Sequence, residues 1–427
     1  MPLPNLIEII PLANPVRAEI SVPGSKSITN RALLLAALGE GETTLLGALW
    51  SEDTQVMVEC LQDLGFMINV APDLQEPCNR AITVYGRGGL VPPGGTEQQP
   101  LELFVGNAGT AARFLAAMVC LGKGVYRLRG VPRMHERPQA ALLKALRELG
   151  YQIDSPNDKL PMLIFGTGPR PAKCRVGIED SSQFASALLL CAETGQWQVE
   201  VTGQSAEESP YVAMTAKLIK AFPETGGVFQ IEPDASSASY LQAAGYLLSQ
   251  VHATATAISL RFGPASDWQV DAAFPRFLPL PAAISRQTDL GDSIMTAIVL
   301  APFSKSPVRF TDLGRLRVQE CERVAALRTE LTRCDAKVIE EGDMLTVFPS
   351  VLHGAEIETY GDHRMAMSFA ILGLKVEGIK LKNPSCVKKT FPSFYQKLAA
   401  LPPAGLGARI LDANSRRILS GAELFAE

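Results

Sequence analysis

The sequence predicts an α/β (α+β) protein of two pseudo-symmetric halves, each built from three repeated units with buried helices. Two observations predict this fold class. A short run of Gly, Ser, Asp, Asn or Lys passes six times directly into a helix that is apolar on nearly every face, and such a helix is buried. Amphipathic helices and short β-branched runs recur between these six helices. The order within a repeat is therefore strand, buried helix, strand, amphipathic helix, strands.

We call the polar run before each buried helix a polar head. The six polar heads, with their helices, are residues 24–27 before 32–38, 106–110 before 111–119, 180–183 before 184–192, 234–237 before 238–247, 291–293 before 294–300 and 361–364 before 365–372. First-turn N–H groups lack intrahelical partners and lie at the positive end of the helix dipole. Each polar head is therefore a candidate anion site, while Ser, Asp and Asn are equally ordinary N-caps.

The remaining elements follow from periodicity and from residues that end helices. Amphipathic helices are predicted over residues 54–64, 140–149 and 324–331, the first two ended by Gly65 and Gly150. Strands are predicted over 82–85, 125–128, 198–201 and 345–347. Pro275, Pro279 and Pro281 predict an irregular segment over 269–284 in place of the fifth amphipathic helix. The tail after Leu401 is predicted to hold little of the core.

Three units per half predict an N-terminal domain of residues 22–232 and a C-terminal domain of residues 1–21 and 233–427. Pro233 bars helix continuation and marks the linker. The length of 427 residues suits two or three domains.

Charge and cysteine usage exclude several classes of protein. Lys plus Arg total 40 against 44 for Asp plus Glu, a net charge of −4 without a long basic run, which argues against a nucleic-acid groove or a membrane surface. The eight cysteines show no metal-ligand or redox spacing and suit a reducing compartment. No basic and apolar leader precedes residue 20, and no apolar run approaches the roughly 18 residues of a membrane span. We therefore expect a cytoplasmic protein with no nucleic-acid or membrane partner.

Some polar residues suit the binding of phosphate or carboxylate. Lys26 lies between two Ser hydroxyls at a helix start, with Arg31 one turn further on. Gly109 allows close approach of the backbone to a ligand. Arg137 precedes a proline and is held in extended backbone, whereas Glu320 and Arg323 have the i,i+3 spacing of a helical ion pair. Each feature alone has an ordinary structural explanation, so the combination carries the argument.

Together these motifs resemble the enolpyruvyl transferases, and among them the 5-enolpyruvylshikimate-3-phosphate synthase family. The resemblance runs from about Ile20 to about Leu398. The motifs that carry it are Gly24-Ser25-Lys26-Ser27 with Arg31, Gly106-Asn107-Ala108-Gly109-Thr110 with Arg113, Pro132-Arg133-Met134 with Glu136-Arg137-Pro138, Ser181-Ser182-Gln183, Asp234-Ala235-Ser236-Ser237-Ala238-Ser239, Asp292, Arg317-Val318 with Glu320 and Arg323, Asp362-His363-Arg364-Met365-Ala366-Met367, and Lys389-Thr390-Phe391-Pro392.

The resemblance implies two domains of three βαβαββ units, the inside-out α/β barrel, closing over a cleft that holds the active site. It implies transfer of the enolpyruvyl group of phosphoenolpyruvate to the 5-hydroxyl of shikimate 3-phosphate with release of phosphate, a step of chorismate and aromatic amino acid biosynthesis. This chemistry needs cations for the anionic groups and a positioned acid and base. It requires no metal or organic cofactor. We expect a monomer that acts on small-molecule substrates.

The resemblance also implies a role for individual residues. The catalytic residues would be Asp292, which takes the acceptor proton, and Glu320 and Lys26, which serve the methylene and the phosphate. Phosphoenolpyruvate would be bound by Lys26, Asn107, Gly109, Arg137, Gln183, Arg323, Arg364 and Lys389. Shikimate 3-phosphate would be bound by Lys26, Ser27, Arg31, Ser181, Ser182, Gln183, Tyr211, Asp292, Arg315 and Gln319.

Departures from the family pattern concentrate on the acceptor side. Gln319 stands where the family has a Lys, Arg315 where it has an Asn, and Glu208 where it has an acceptor-phosphate Ser. A carboxylate beside a phosphate is repulsive unless it is countered. A transferase with a different hydroxyl acceptor and a catalytically impaired ligand-binding paralogue therefore stay open. Ser27 argues against a UDP-N-acetylglucosamine transferase, and the basic motifs argue against an RNA 3′-terminal phosphate cyclase.

Overall fold

The computed structural model describes residues 3–179, 181–203, 209–252 and 256–427. The strands are β1 Leu6–Ile9, β2 Arg17–Ile20, β3 Glu40–Leu49, β4 Met67–Pro72, β5 Asn79–Arg87, β6 Leu101–Phe104, β7 Lys123–Arg129, β8 Gln152–Asp154, β9 Met162–Thr167, β10 Ala172–Gly177, β11 Trp197–Thr202, β12 Gly227–Gln230, β13 Ala257–Leu260, β14 Ala283–Ser285, β15 Val308–Thr311, β16 Val338–Glu341, β17 Met344–Val347, β18 Glu356–Ile357, β19 Ile379–Lys382 and β20 Ile410–Asp412.

The α-helices are α1 Lys26–Leu38, α2 Glu52–Asp63, α3 Gly109–Cys120, α4 Pro132–Glu136, α5 Ala140–Glu148, α6 Ser182–Gly195, α7 Ser209–Ala221, α8 Ala235–His252, α9 Ile294–Leu300, α10 Arg323–Arg333, α11 His363–Gly373 and α12 Phe394–Ala399. Short 3₁₀ helices cover Val270–Phe277, Ala301–Phe303, Gly314–Val318, Pro384–Lys389 and Gly421–Leu424.

The chain divides into two compact units. We call Gly24–Glu232 the N-terminal unit, and Met1–Pro23 with Pro233–Glu427 the C-terminal unit. Within its described residues, each unit contains two four-stranded sheets and one two-stranded sheet.

The four-stranded sheets share one pattern of pairing. Their strand orders are β12-β3-β5-β4 and β6-β7-β9-β8 in the N-terminal unit, and β14-β15-β17-β16 and β18-β19-β1-β20 in the C-terminal unit. In each sheet the first two strands pair in parallel and the other two pairings are antiparallel. This repetition agrees with the predicted α/β architecture of recurring units.

The buried helices form the centre of each unit. Helices α1, α3 and α6 pack against one another in the N-terminal unit, as do α8, α9 and α11 in the C-terminal unit. Leu33, Leu115 and Leu188 are fully buried examples, and burial of such a side chain contributes about 1.5–3 kcal/mol. The prediction of six buried helices is confirmed, and the polar heads stand at the helix starts.

Two predictions about local structure need correction. The tail after Leu401 does hold part of the core, because β20 pairs with β1 and Ile410 is fully buried. Glu320 is not on a helix with Arg323, since α10 begins at Arg323 and Glu322 caps it by accepting a hydrogen bond from Ala325 N at 2.6 Å. The Pro-rich segment is irregular as predicted, a 3₁₀ helix over Val270–Phe277.

All eight cysteines lie in the described residues and are free thiols. In the described part of the chain, no helix is both long enough and apolar enough to cross a membrane.

Candidate active site

Lys26 opens α1 beside a buried carboxylate. Its Nζ lies 3.0 Å from Asp53 Oδ2, and the Asp53 side chain is 3% exposed against 18% for Lys26. The preceding Gly24 passes so close to β3 that an added Cβ would lie 2.0 Å from Gly47 O. Its N–H donates to Asn79 Oδ1 at 2.8 Å. The tight passage and the ion pair together fix where the ammonium group points.

Two arginines pack against the start of α3. A Cβ on Gly109 would lie 2.6 Å from Arg113 Nη1 and 2.8 Å from Arg137 Nη2, so both guanidinium groups would have to shift to admit a larger residue. Arg137 follows the short helix α4 in extended backbone, as its proline neighbour predicts, and Nη1 donates to Asn107 O at 3.2 Å. Arg113 Nη2 donates to Pro138 O at 3.1 Å. The glycine thus lets two guanidinium groups reach one helix N-terminus.

The same cluster extends to the start of α6. Gln183 Oε1 accepts a hydrogen bond from Arg113 Nη1 at 2.7 Å, and Nε2 donates to Thr110 Oγ1 at 3.4 Å. Ser181 caps α6 by accepting from Gln183 N at 3.2 Å, and both Ser181 and Ser182 are buried. The first residue of this polar head, Asp180, lies outside the described residues. The starts of α3 and α6 therefore meet through side-chain hydrogen bonds.

Arg31 is almost fully buried between three helices. The residue is 2% exposed, and its guanidinium donates to Ser27 O at 2.9 Å, Thr215 Oγ1 at 2.8 Å and Ser186 Oγ at 3.0 Å. These bonds join α1, α6 and α7. Tyr211 lies in the first turn of α7, where its carbonyl accepts a bond from Thr215 Oγ1 at 2.9 Å. Arg31 thus orders the helices that carry the predicted acceptor ligands.

Asp292 is the centre of the charged cluster in the C-terminal unit. It stands just before α9, and three guanidinium groups face it. Asp292 Oδ2 lies 2.9 Å from Arg364 Nη2, and Oδ1 lies 3.4 Å from Arg286 Nη2 and 3.9 Å from Arg323 Nη1. The Asp292 side chain is 17% exposed. It is therefore mostly buried and still accessible.

Arg323 connects three carboxylates. Its Nε lies 2.6 Å from Asp362 Oδ2 and its Nη2 lies 2.8 Å from Glu320 Oε2. Asp362 also caps α11 by accepting a bond from Arg364 N at 2.8 Å. One buried residue, Asp362, thus fixes the position of both Arg323 and the helix start that carries Arg364.

This cluster shifts the ionisation of its members. Burial would raise the pKa of Asp292, and the Glu320 carboxylate raises it further, but Arg364, Arg323 and Arg286 outweigh both and hold the pKa of Asp292 well below its usual range. Burial would lower the pKa of Arg323, whereas Asp362, Glu320 and Asp292 raise it. Asp292 is a carboxylate and Arg323 a cation throughout the physiological range.

The acceptor-side departures differ in their structural setting. Gln319 Oε1 accepts a hydrogen bond from Arg323 Nη1 at 2.5 Å, so it orients that guanidinium. Arg315 is half-buried on the 3₁₀ helix Gly314–Val318. Glu208 lies outside the described residues.

Lys389 is 5% exposed at the end of a 3₁₀ helix that packs against α11.

The sequence analysis assigned no role to four charged residues that the structure places in these clusters, namely Asp53, Arg113, Arg286 and Asp362. A signal existed for two of them, because Arg113 is a charge on an otherwise apolar helix and Asp362 has the position of an N-cap. Asp53 and Arg286 meet their partners only through the tertiary fold. No local pattern marks either residue.

Comparisons with known proteins agree with one another. A family model described as EPSP synthase (3-phosphoshikimate 1-carboxyvinyltransferase) matches residues 11–225 and 282–398. The match leaves out residues 226–281, which include α8 and the 3₁₀ helix at Val270–Phe277.

Named relatives span nearly the full length. A 3-phosphoshikimate 1-carboxyvinyltransferase of Rhizobium etli (strain CIAT 652) is 39% identical over 92% of this chain and 97% of its own. One from Trichormus variabilis is 36% identical over 92% and 98%. Among solved structures, EPSP synthase from Acinetobacter baumannii has a TM-score of 0.72 at 21% identity, covering 95% of this chain and 99% of its own. The enolpyruvyl transferase NikO of Streptomyces tendae has a TM-score of 0.66 at 16% identity, covering 98% and 100%.

Proposed function

The chain belongs to the EPSP synthase (3-phosphoshikimate 1-carboxyvinyltransferase) family, and from that premise we propose how its residues perform the family's reaction. The enzyme transfers the enolpyruvyl group of phosphoenolpyruvate to the 5-hydroxyl of shikimate 3-phosphate and releases phosphate. The cluster around Asp292 carries the assignment of roles, because it joins a buried carboxylate to three guanidinium groups.

The reaction forms one C–O bond and breaks another. The acceptor oxygen bonds to C2 of phosphoenolpyruvate as its proton leaves, and the methylene carbon gains a proton. The bond from C2 to the phosphate oxygen then breaks, phosphate departs, and the methyl carbon loses a proton to restore the double bond. Each proton transfer needs a positioned acid or base, and the phosphate and carboxylate need fixed cations.

The N-terminal unit supplies cations for phosphoenolpyruvate. Lys26 and Arg137 bind its anionic groups beside the α3 N-terminus, where Gly109 leaves room for the Arg137 guanidinium. Asn107 and Gln183 complete this set. Ser27, Ser181, Ser182 and Tyr211 bind shikimate 3-phosphate, with Arg31 holding their helices together. Hydrogen bonds from Arg113 support this assignment, because they link the start of α3, which carries Gly109, to the start of α6, which carries Gln183.

The C-terminal unit supplies the base. Asp292 takes the proton of the acceptor hydroxyl, and Arg323, Arg364 and Lys389 bind phosphoenolpyruvate. An anion that pairs with Arg323 and Arg364 offsets the field of their charges at Asp292. The pKa of Asp292 then rises from its depressed value, so arrival of phosphoenolpyruvate strengthens the base. Arg286 stays paired with Asp292, and Glu320 stays beside Arg323.

Glu320 and Lys26 serve the methylene and the departing phosphate. Glu320 is 11% exposed at its side chain and is held by Arg323, which suits a group that moves a proton in a mostly dry site.

Shikimate 3-phosphate is the acceptor in spite of the altered residues. Relatives with that substrate in their names match over 92% of the chain, and the alternative acceptor and the inactive paralogue are not favoured. Gln319 contributes by orienting Arg323, and Arg315 supplies a cation on the acceptor side.

We further propose that the enzyme acts as a cytoplasmic monomer without a nucleic-acid partner. The free cysteines suit a reducing compartment, and the net charge of −4 does not suit a polyanion.

Phosphate release tests the assignment of the base. With both substrates, Asp292→Asn should lower kcat by about 10²-fold or more while KM for each substrate changes little. The control is Asp335→Asn, which neutralises a carboxylate that is 69% exposed in the same unit and should leave kcat unchanged. Retention by Asp292→Asn of more than about a tenth of the wild-type kcat would exclude Asp292 as the base.

A further inference from the structure

The irregular segment before β14 is tied to the starts of two buried helices. Gln269 Oε1 accepts a hydrogen bond from Ala235 N at 2.9 Å, and Nε2 donates to Pro233 O at 2.9 Å. These two bonds fix the start of α8. The segment lies in the part of the chain that the family model leaves unmatched. Its Pro-rich sequence predicted only a broken helix.

Asp271, two residues later, joins α8 to α9. Its Oδ2 accepts from Ser236 Oγ at 2.5 Å, on the α8 side. Its Oδ1 accepts from Gly291 N at 2.9 Å, Ser293 N at 3.1 Å and Ser293 Oγ at 2.5 Å, on the α9 side. Asp271 is 3% exposed. A buried carboxylate with four donors is a fixed point in the fold.

The residue between Gly291 and Ser293 is Asp292. Asp271 therefore holds the backbone on both sides of the proposed base, and we propose that Asp271 is a positioning residue for Asp292. This inference rests on the proposed function.

The forces on Asp292 show why such a support matters. Arg286, Arg323 and Arg364 all attract its carboxylate, and their pull on it changes when an anion pairs with two of them. A loop free to follow that change would carry the base away from the acceptor hydroxyl. The bonds from Gly291 N, Ser293 N and the Ser293 hydroxyl to Asp271 together resist this movement, and displacement of a reacting group by about 1 Å can cost on the order of 10²-fold in rate.

A matched pair of serine variants tests the proposal. Ser293→Ala removes the hydroxyl bond to Asp271 on the α9 side, and Ser236→Ala removes the equivalent bond on the α8 side. Both bonds are 2.5 Å long and both residues are buried, so the two variants should lose similar stability. Substitution of Asp271 itself removes all four bonds and threatens folding, which makes the serine pair the sharper test.

We expect Ser293→Ala to lower kcat by about tenfold with KM for phosphoenolpyruvate within about threefold of wild type. Ser236→Ala should keep kcat within about twofold, with a similar decrease in Tm. Equal losses of kcat in the two variants, an unchanged kcat in Ser293→Ala, or a change in KM alone would overturn the proposal.

Two reference measurements distinguish failure of the Asp271 proposal from failure of the proposed function. Wild type without turnover would contradict the function itself, and an active Asp292→Asn would contradict the role of the base. The serine variants test the role of Asp271 when the wild-type protein is active and Asp292→Asn is impaired.

Discussion

Each charged side chain in the cluster around Asp292 is paired with a group of opposite charge. Arg323 contacts Asp362 and Glu320 directly, and Arg364 pairs with Asp292. Removal of one partner from such a cluster leaves an uncompensated buried charge, which is costly. Stability therefore depends on the Asp292 side chain, which is also the proposed base.

The depressed pKa of Asp292 predicts how its contribution to stability depends on pH. A carboxylate with a lower pKa in the folded state stabilises the fold above its unfolded pKa of about 4, and this stabilisation is lost as the pH falls through the folded pKa. At neutral pH, Asp292→Asn should lower the free energy of unfolding by about 2 kcal/mol. Urea unfolding of both proteins across pH should show a constant difference above about pH 5 that shrinks below about pH 4. A difference that persists or grows in acid would contradict this account.

Gly109 offers a test of the phosphoenolpyruvate residues. In Gly109→Ala the new Cβ would press against Arg113 and Arg137, so the guanidinium groups must move. KM for phosphoenolpyruvate should rise by about tenfold, since a displaced cation loses about 1.4 kcal/mol of binding. The control Gly263→Ala adds a Cβ with no neighbour within 4 Å and should leave the kinetics unchanged. An unchanged KM in Gly109→Ala would contradict the proposed binding of phosphoenolpyruvate by Arg137.

The candidate site residues that the sequence indicated lie in local motifs. Lys26 and Arg364 stand at helix starts with recognisable polar heads. Asp53 and Asp271 reach their partners from segments 27 and 20 or more residues away, and such pairings depend on tertiary structure. The resemblance supplied roles for the first group and could not supply them for the second.

At the scale of elements, strong hydrophobic patterns predicted the buried helices correctly, whereas the weak pattern of the C-terminal tail did not predict its strand. The six buried helices are long apolar runs behind polar heads. In contrast, β20 has three residues, and the preceding prolines and glycines at 402, 403, 405 and 407 favour a loop. Its register is set by β1, about 400 residues earlier. The local composition of the tail does not predict that pairing.

The contribution of β20 can be measured with two isoleucines of the tail. Ile410 is fully buried, whereas Ile418 is 51% exposed. Ile410→Ala should lower the free energy of unfolding by about 2–5 kcal/mol, and Ile418→Ala should change it by about 0.5 kcal/mol or less. Denaturant titration compares the two variants directly. Equal effects would mean that the tail does not belong to the core.

At the scale of the whole molecule, the two units repeat one design and differ in chemistry. Each packs three buried helices together, and side-chain hydrogen bonds join the starts of two of them, through Gln183 in one unit and Asp271 in the other. The N-terminal unit presents mainly cations and hydroxyls, and the C-terminal unit adds the carboxylates. Membership of the EPSP synthase family gives the chain one reaction, the transfer of an enolpyruvyl group to shikimate 3-phosphate.

Identification of the product tests the central claim most directly. The purified protein is mixed with phosphoenolpyruvate and shikimate 3-phosphate, and the products are followed by phosphorus NMR and mass spectrometry. We expect one phosphate to be released for each acceptor that gains one enolpyruvyl group, and neither product when either substrate is omitted. Release of phosphate without the enolpyruvyl product, or no reaction with this acceptor, would contradict it.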